Sequence, residues 1–275
     1  MSHPLPSPTR HRLRTRIRAL PASRRARMLL RVALVVLAIG LLKLLVHHLG
    51  LEVISVNPLF SALVASTVFL LGFLLNGVLT DFKESEKLPG EIATALQTLD
   101  MEIRGIPAHN PAAQITSHRR AVAAFGATLI GWIEGSVSTA EMRQHFDRCH
   151  AVVVDAAALL PPSTLKGRLM GEMASLLRAF NRIETIRETS FVPLVYWLAY
   201  AGTTLLCGGL VFAVSSNIRE AFFFLCVITF LLIFLLYLIN DLDNPFGQGD
   251  LDSAEDVSLT VLEEAVVLLG HDLRD

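Results

Sequence analysis

Charged residues are absent from three long stretches of this 275-residue chain, residues 53–80, 189–218 and 221–240. A helix needs about 20 mostly apolar residues to cross a bilayer, so each stretch predicts a transmembrane helix. A fourth, weaker candidate covers residues 29–47, which contain Arg31 and Lys43. Both cations lie near the ends of that stretch, where long side chains can reach the membrane interface. We therefore expect Lys43 to be a snorkelling residue, with a bias of the outer mouth toward anions as the alternative.

Cysteine is also scarce, and catalytic motifs are missing. Cys149, Cys207 and Cys226 have no paired spacing, which argues against a disulfide framework and a CxxC metal site. No nucleophile elbow, HExxH motif or phosphate loop occurs, so the sequence predicts neither an enzyme nor a required cofactor. Glu141, His145 and Cys149 share one helix face, but a single straight helix rarely surrounds a tetrahedral ion, and we interpret them as structural or solvated.

The charges that remain are strongly segregated. Residues 1–31 hold nine arginines and no acid, whereas residues 241–275 hold ten acids and one base. A basic arm directly before a span is typical of contact with anionic lipid at the cytoplasmic face rather than with nucleic acid. The two short loops between spans contain almost no Lys or Arg, and the long segment 81–188 has basic residues near both of its ends. This bias places both termini and the central segment in the cytoplasm.

The central and C-terminal segments read as helical, with no β-rich region and no repeat. Apolar residues recur at helical spacing in 91–106, 117–135, 139–160 and 161–188, and the last of these can run directly into the third span. Ser253 and Asp256 stand at capping-box spacing, which predicts the start of a final helix. Its apolar stripe is Val257, Leu262, Ala265, Val266 and Leu269.

The predicted fold is therefore all-α, an integral membrane protein with four transmembrane helices and a helical cytoplasmic domain. The predicted divisions are a basic cytoplasmic arm (1–28), spans 1 and 2 (29–80), the helical cytoplasmic domain (81–190), spans 3 and 4 (191–240), and an acidic turn with a C-terminal cytoplasmic helix (241–275).

One face of the second span carries a distinctive set of residues, namely Ala65, Phe69, Phe73, Asn76 and Thr80. Their spacing of three or four places them on one side of a helix. The simpler interpretation is a face toward lipid or a neighbouring helix. The functional one is a pore wall, because rings of Phe from several subunits can form a hydrophobic constriction, and their electropositive edges tolerate an anion. Asn76 and Thr80 would then donate hydrogen bonds below the constriction.

Three patches resemble the bestrophins. "FLLGFLLNGVLTDFKESEKLPGEI" is similar to the neck helix of that family and its Leu-Pro turn, and "LINDLDNPFGQGDLD" resembles its Asn-Pro-Phe-Gly turn with an acidic run after the fourth span. "RIETIRETSFVPLVYWL" resembles the entry to the third span. Within that family, the chain looks most like the bacterial bestrophin-like membrane proteins. The chain departs from the family after Thr80, where Asp81 and Phe82 stand in place of Arg and Trp.

The resemblance implies a homopentameric anion channel in the bacterial inner membrane, bestrophin-like in fold, conducting small inorganic anions such as chloride passively. Its partners would be the lipid bilayer and further copies of itself, with no nucleic acid. Phe69 and Phe73 would be neck residues, with Ala65, Asn76 and Thr80 also lining the pore. The alternative is a membrane scaffold or signalling protein with a closed or vestigial pore. A secondary transporter is disfavoured, because neither inverted repeats nor buried intramembrane charges are evident.

The acidic segment after the fourth span has two interpretations. Hard cations bind six to eight oxygens, and the resemblance implies a calcium clasp at this place, which makes Ca²⁺ the one cofactor to consider. Its candidate ligands are Asp241, Asp243, Asp250, Asp252, Glu255 and Asp256. The other interpretation is that Asp252 or Ser253 caps the final helix and the remaining acids favour its N-terminal dipole.

Overall fold

A computed structural model of the protein describes residues 22–160, 164–188, 193–247 and 256–271. This part of the chain is helical, and its only β pairing is an isolated bridge. The α-helices are α1 (Ala22–His48), α2 (Pro58–Ser85), α3 (Leu88–Gly105), α4 (Thr116–Ile133), α5 (Thr139–Ala158), α6 (Thr164–Glu188), α7 (Pro193–Val211), α8 (Ile218–Leu242) and α9 (Thr260–His271). A 3₁₀ turn, Ile106–Ala108, follows α3.

Four described segments are long and apolar enough to cross a membrane, and they contain α1, α2, α7 and α8. These helices form what we call the span bundle: α8 packs against α1, α2 and α7, while α7 also contacts α1 and α2. The bundle has its own core, in which Leu71, Leu74, Leu206, Leu232 and Ile239 are buried. The predicted all-α architecture with four spans is confirmed.

The two short loops of the span bundle meet at one end, which we call the loop end. A parallel bridge joins Ile54, between α1 and α2, to Ala213, between α7 and α8. The Ile54 amide donates to the Phe212 carbonyl at 3.0 Å, and the Val214 amide donates to the Ile54 carbonyl at 2.8 Å. The loops therefore satisfy their backbone groups mutually, which a segment close to lipid requires.

The remaining helices form a second layer, the helical domain, at the opposite or domain end of the bundle. It consists of α3, α4, α5, α6 and α9, which pack around one core. The ring centroids of Trp132 and Phe180, both buried in this core, lie 4.6 Å apart. Among the described residues from 91 to 188, helices occur where the sequence predicts them. Residues 161–163 and 189–192 lie outside the described residues, so the predicted continuation of α6 into α7 is not described.

The junction between the two layers is short. α2 ends at Ser85 and α3 begins at Leu88, with Pro89 in its first turn. Proline fits there because the first-turn amides have no partner within the helix. The Leu-Pro pair therefore opens α3 rather than closing α2.

The predicted start of the final helix is wrong. α9 begins at Thr260, and residues 256–259 are not helical, so the final helix does not begin at the predicted Ser253–Asp256 capping box. Asp252 and Ser253 lie outside the described residues. The physical reason is that Val257 and Leu259, two residues apart, are both buried in the core of the helical domain, as an extended segment allows. The predicted apolar stripe does pack inward, since Leu262, Ala265 and Leu269 are buried.

Candidate pore-lining face and acidic turn

The α2 helix has two opposite faces. Thr67, Leu71, Leu74 and Val78 are buried, and α2 packs against α7 and α8. The second face carries the five residues predicted from the sequence, all of them exposed: Ala65, Phe69, Phe73, Asn76 and Thr80. At about 100° per residue these five positions span an arc of about 80°, roughly opposite the buried face. We call this second face the open face.

Two large rings dominate the open face. Phe69 is 76% exposed and Phe73 is 60% exposed. Neither ring is needed for packing within the chain, so both are available to lipid or to another copy. The structure thus brings the five predicted residues onto one surface.

The polar end of the open face differs from the prediction in one respect. The Thr80 hydroxyl donates a hydrogen bond to the Asn76 carbonyl oxygen at 2.8 Å. Its proton is therefore engaged within the helix, which leaves the Asn76 amide as the donor of this pair that can face a ligand. Beyond Thr80, Asp81, Lys83 and Lys87 are all exposed.

Capping fixes where α2 begins. The Asn57 side-chain oxygen accepts from the Phe60 amide at 3.0 Å, and Pro58 occupies the first helical position. Both are standard start signals, so the Asn-Pro pair marks the start of α2.

A contact between the two layers holds the other end of α2. The Arg182 guanidinium of α6 donates to both carboxylate oxygens of Glu84, at 3.0 and 2.7 Å. Such bidentate pairs are geometrically specific. Sequence reasoning missed this pair, because the two residues are 98 positions apart and exposed charges carry no periodic signal.

Lys43 does not snorkel. Its side chain is 1% exposed, and its ammonium lies 2.6 Å from the Glu52 carboxylate. It also donates to the carbonyl oxygen of Ala213 in the other loop. The expectation that Lys43 exposes its ammonium at the interface is therefore wrong, because the two loops cover it. A role at the outer mouth stays a prediction.

The Asn-Pro-Phe-Gly sequence forms a tight turn after α8. The Gly247 amide donates to the Asn244 carbonyl at 3.2 Å, and Phe246 is buried in the helical domain. A Cβ atom at Gly247 would lie 2.7 Å from the Asn244 side-chain nitrogen and 3.3 Å from the Asn244 carbonyl oxygen, so a larger residue would have to displace the Asn244 side chain. The Val257 amide then donates to the Pro245 carbonyl at 2.9 Å, so the chain returns to the turn directly after Asp256.

The acidic segment is only partly described. Asp250, Asp252 and Glu255 lie outside the described residues. Asp241, Asp243 and Asp256 are half-buried, and each already interacts with another group of the protein. The described residues contain no group of three potential ligands arranged around a metal ion. The calcium clasp therefore stays a prediction.

Two of the three residues Glu141, His145 and Cys149 have structural roles, namely Glu141 and Cys149. The Glu141 carboxylate accepts from the Ser138 amide at 3.2 Å in a capping box, and these bonds lower the pKa of Glu141. Cys149 is buried in the domain core, where desolvation raises the pKa of its thiol to about 12.

Together, the span bundle, the helical domain and the open face define a multi-span helical membrane protein. A bestrophin-like domain is matched over residues 29–250, and the chain belongs to the bestrophin-like family. No curated protein matches its sequence.

Solved structures of a bacterial bestrophin homologue from Klebsiella pneumoniae have the same fold. One single-substitution variant is 19% identical with a TM-score of 0.71, covering 92% of this chain and 99% of its own. A second is 20% identical with a TM-score of 0.69, covering 89% and 100%. A third structure of the homologue is 20% identical with a TM-score of 0.65, covering 90% and 96%.

Proposed function

We propose that this chain is one subunit of an oligomeric ion channel that conducts small anions such as chloride passively along the open face of α2. The observation that carries the proposal is the position of Phe69 and Phe73, which are exposed opposite the packing face of their own helix. In lipid alone two exposed rings are unremarkable. In a ring of subunits the same rings form a neck, because each copy contributes the face that its own chain leaves unpacked.

A phenylalanine neck suits a passive anion conduit. An apolar constriction gates by wetting and dewetting, and ring edges carry partial positive charge that favours a passing anion. Asn76 supplies a neutral hydrogen-bond donor toward the domain end. Asp81 opposes anions near that mouth, and the exposed Lys83 and Lys87 partly offset it.

We place the protein in the bacterial inner membrane, with the loop end outside and both termini and the helical domain in the cytoplasm. The basic arm before α1 supports this orientation, because anionic lipid attracts it at the inner surface. The scarcity of Lys and Arg in the joined loops supports it as well. Neither enzymatic activity nor nucleic-acid binding forms part of the proposal.

The channel is tested with purified protein in liposomes loaded with chloride. We expect chloride efflux that changes when Phe73→Ala widens the neck. The matched control is Phe223→Ala, which removes an equally exposed ring (62%) from α8 and should leave efflux unchanged. Absence of flux with and without divalent cations would favour a scaffold or signalling protein with a closed pore.

The assembly is tested separately by the mass of the detergent-solubilised complex. We expect a homopentamer, on the resemblance to bestrophins. A stable monomer would remove the pore, because the open face would then meet only lipid.

We further propose Ca²⁺ as the ligand of the acidic turn. The return of the chain at Val257 supports this, since it carries Asp256 back toward the end of α8, where Asp241 and Asp243 lie. Calorimetric titration of the purified protein with CaCl₂ should show binding that Asp243→Asn and Asp256→Asn weaken, with Glu264→Gln on the exposed side of α9 as the control. No heat of binding in the unsubstituted protein would limit these acids to structural roles.

A further inference from the structure

A cavity of about 530 Å³ lies within the span bundle, away from the open face. It is lined by α1, α7 and α8 of a single chain. Its volume is within the range of small-molecule sites, about 300–1,000 Å³. The cavity is open on one side, and all of the residues that line it come from one subunit.

The two ends of the cavity differ in polarity. Leu42, Val211 and Phe212 line it toward the loop end, whereas Tyr200, Tyr237 and Asn240 line it toward the domain end. The direction follows from the course of the helices, because α8 ends at Leu242 and α7 begins at Pro193 at the domain end. All of the lining residues that the structure describes are uncharged. Such a cavity favours a ligand with an apolar chain and an uncharged polar group.

Thr203 supplies the polar contact inside the cavity. It lines the wall, is 2% exposed, and its hydroxyl has no hydrogen-bond partner among the described residues. Other threonines of the bundle donate to the carbonyl four residues earlier: Thr67 to Leu63 and Thr204 to Tyr200. In an apolar medium an unpaired hydroxyl is unfavourable, so Thr203, with its side chain turned toward the cavity, is the group of this wall that a ligand oxygen would satisfy.

We propose that the cavity binds an uncharged amphiphile from the membrane, a single hydrocarbon chain that ends in a hydroxyl or carbonyl group. Its oxygen pairs with the Thr203 hydroxyl near the polar end, and its chain lies along Leu42, Val211 and Phe212. Either a free long-chain alcohol or the acyl-ester part of a lipid has this chemistry. The site does not depend on conduction through α2, and the protein binds the amphiphile whether or not it is a channel.

Native mass spectrometry of the delipidated protein in detergent, with 1-hexadecanol as the probe, tests the site. We expect one adduct per chain at saturation. Gly208→Phe should abolish the adduct, because Gly208 lines the cavity and a Cβ atom there meets nothing within 4 Å, so the ring fills the space. Leu205→Phe is the matched control, since it enlarges a residue of α7 that is 67% exposed. Equal binding by both variants, or no adduct in the unsubstituted protein, would overturn the proposal.

A second variant tests the hydrogen bond without filling the cavity. Thr203→Val keeps the side-chain shape and should weaken hexadecanol binding by about tenfold, the effect of one lost hydrogen bond, while hexadecane binding stays unchanged. If the unsubstituted protein binds hexadecane as tightly as hexadecanol, Thr203 does not recognise the hydroxyl group. A change of oligomer mass in Gly208→Phe without loss of an adduct would assign the cavity to a second copy instead.

The source of the chain is identified in the protein before delipidation. If hexadecanol displaces a co-purified phospholipid one for one, the natural occupant of the cavity is a membrane lipid. If hexadecanol binds and no lipid is released, the natural occupant is a free alcohol or a similar small amphiphile. Either result supports the site.

Discussion

The ammonium group of Lys43 lies 2.6 Å from the carboxylate of Glu52, in an ion pair whose side chains are 1% and 12% exposed. Lys43 belongs to α1 and Glu52 to the loop before α2, and the same ammonium donates to Ala213 between α7 and α8. One side chain therefore ties together both loops of the span bundle. The Glu52 carboxylate also lies 3.1 Å from the ring of His47.

We expect Lys43→Met to destabilise the protein. Removing one partner of a buried pair leaves an uncompensated charge and costs about 3–5 kcal/mol, and the Ala213 carbonyl loses its donor as well. The measurement is the thermal or denaturant unfolding of the protein in detergent. Lys83→Met, which removes an exposed lysine of α2, is the control and should have little effect.

The double variant Lys43→Met with Glu52→Gln separates the charge from the packing. It should recover part of the lost stability, because no unpaired carboxylate remains. If the double variant is as unstable as the sum of the two single variants, Lys43 and Glu52 do not interact energetically.

Stability should also depend on pH through Glu52. The hydrogen bond from Lys43 is the main cause that lowers the pKa of Glu52 below its ordinary value of 4.5. The charged carboxylate is thus favoured in the folded state. Its contribution to the free energy of unfolding is complete above the unfolded-state pKa and is lost as the pH falls through the folded-state pKa.

The measurement is the stability difference between the unsubstituted protein and Glu52→Gln as a function of pH. We expect a constant difference from pH 7 to about 5, which shrinks toward zero below about pH 4. Glu264→Gln, at an exposed position of α9, should show no such trend. A difference that grows in acid would contradict the assignment.

The outcome for Lys43 shows where sequence reasoning reaches its limit. Hydropathy predicts the spans because each needs only local composition, and helical periodicity places Phe69 and Phe73 on one face for the same reason. Whether a charge is exposed depends on partners elsewhere in the chain. Ala213 is 170 positions from Lys43, and Glu84 is 98 from Arg182, so neither contact has a local signal.

The predicted start of the C-terminal helix is wrong for a different reason. Ser253 and Asp256 have the spacing of a capping box, but the backbone at Val257 bonds to Pro245 and buries alternate side chains. A tertiary contact thus outweighs a local capping preference. The apolar stripe from Leu262 to Leu269 was predictable because burial repeats with the helix period.

Gly126 should be intolerant of substitution because α9 packs directly on it. A Cβ atom at this position would lie 2.8 Å from Val266 Cγ2 and 3.1 Å from Leu96 Cδ1. We expect Gly126→Ala to destabilise the helical domain by about 1–3 kcal/mol, the usual cost of overpacking. The measurement is hydrogen exchange of α9 together with global unfolding.

Gly171→Ala is the matched control. A Cβ atom there meets nothing within 4 Å, so α6 should gain up to about 1 kcal/mol from the higher helix propensity of alanine. Adding Val266→Ala to Gly126→Ala should restore part of the loss. No rescue would mean that the clash is not with α9.

Asn76 and Thr80 should differ in their effect on chloride flux, although both lie on the open face. Thr80 already donates to the Asn76 carbonyl at 2.8 Å, whereas the Asn76 amide can point toward a passing anion. We therefore expect Asn76→Leu to reduce efflux severalfold and Thr80→Val to leave it nearly unchanged, measured in the same liposomes at matched protein content. Equal losses in both variants would show that Thr80 turns its hydroxyl into the conduit. No loss in either, together with a full effect of Phe73→Ala, would place the selective contact at the rings alone.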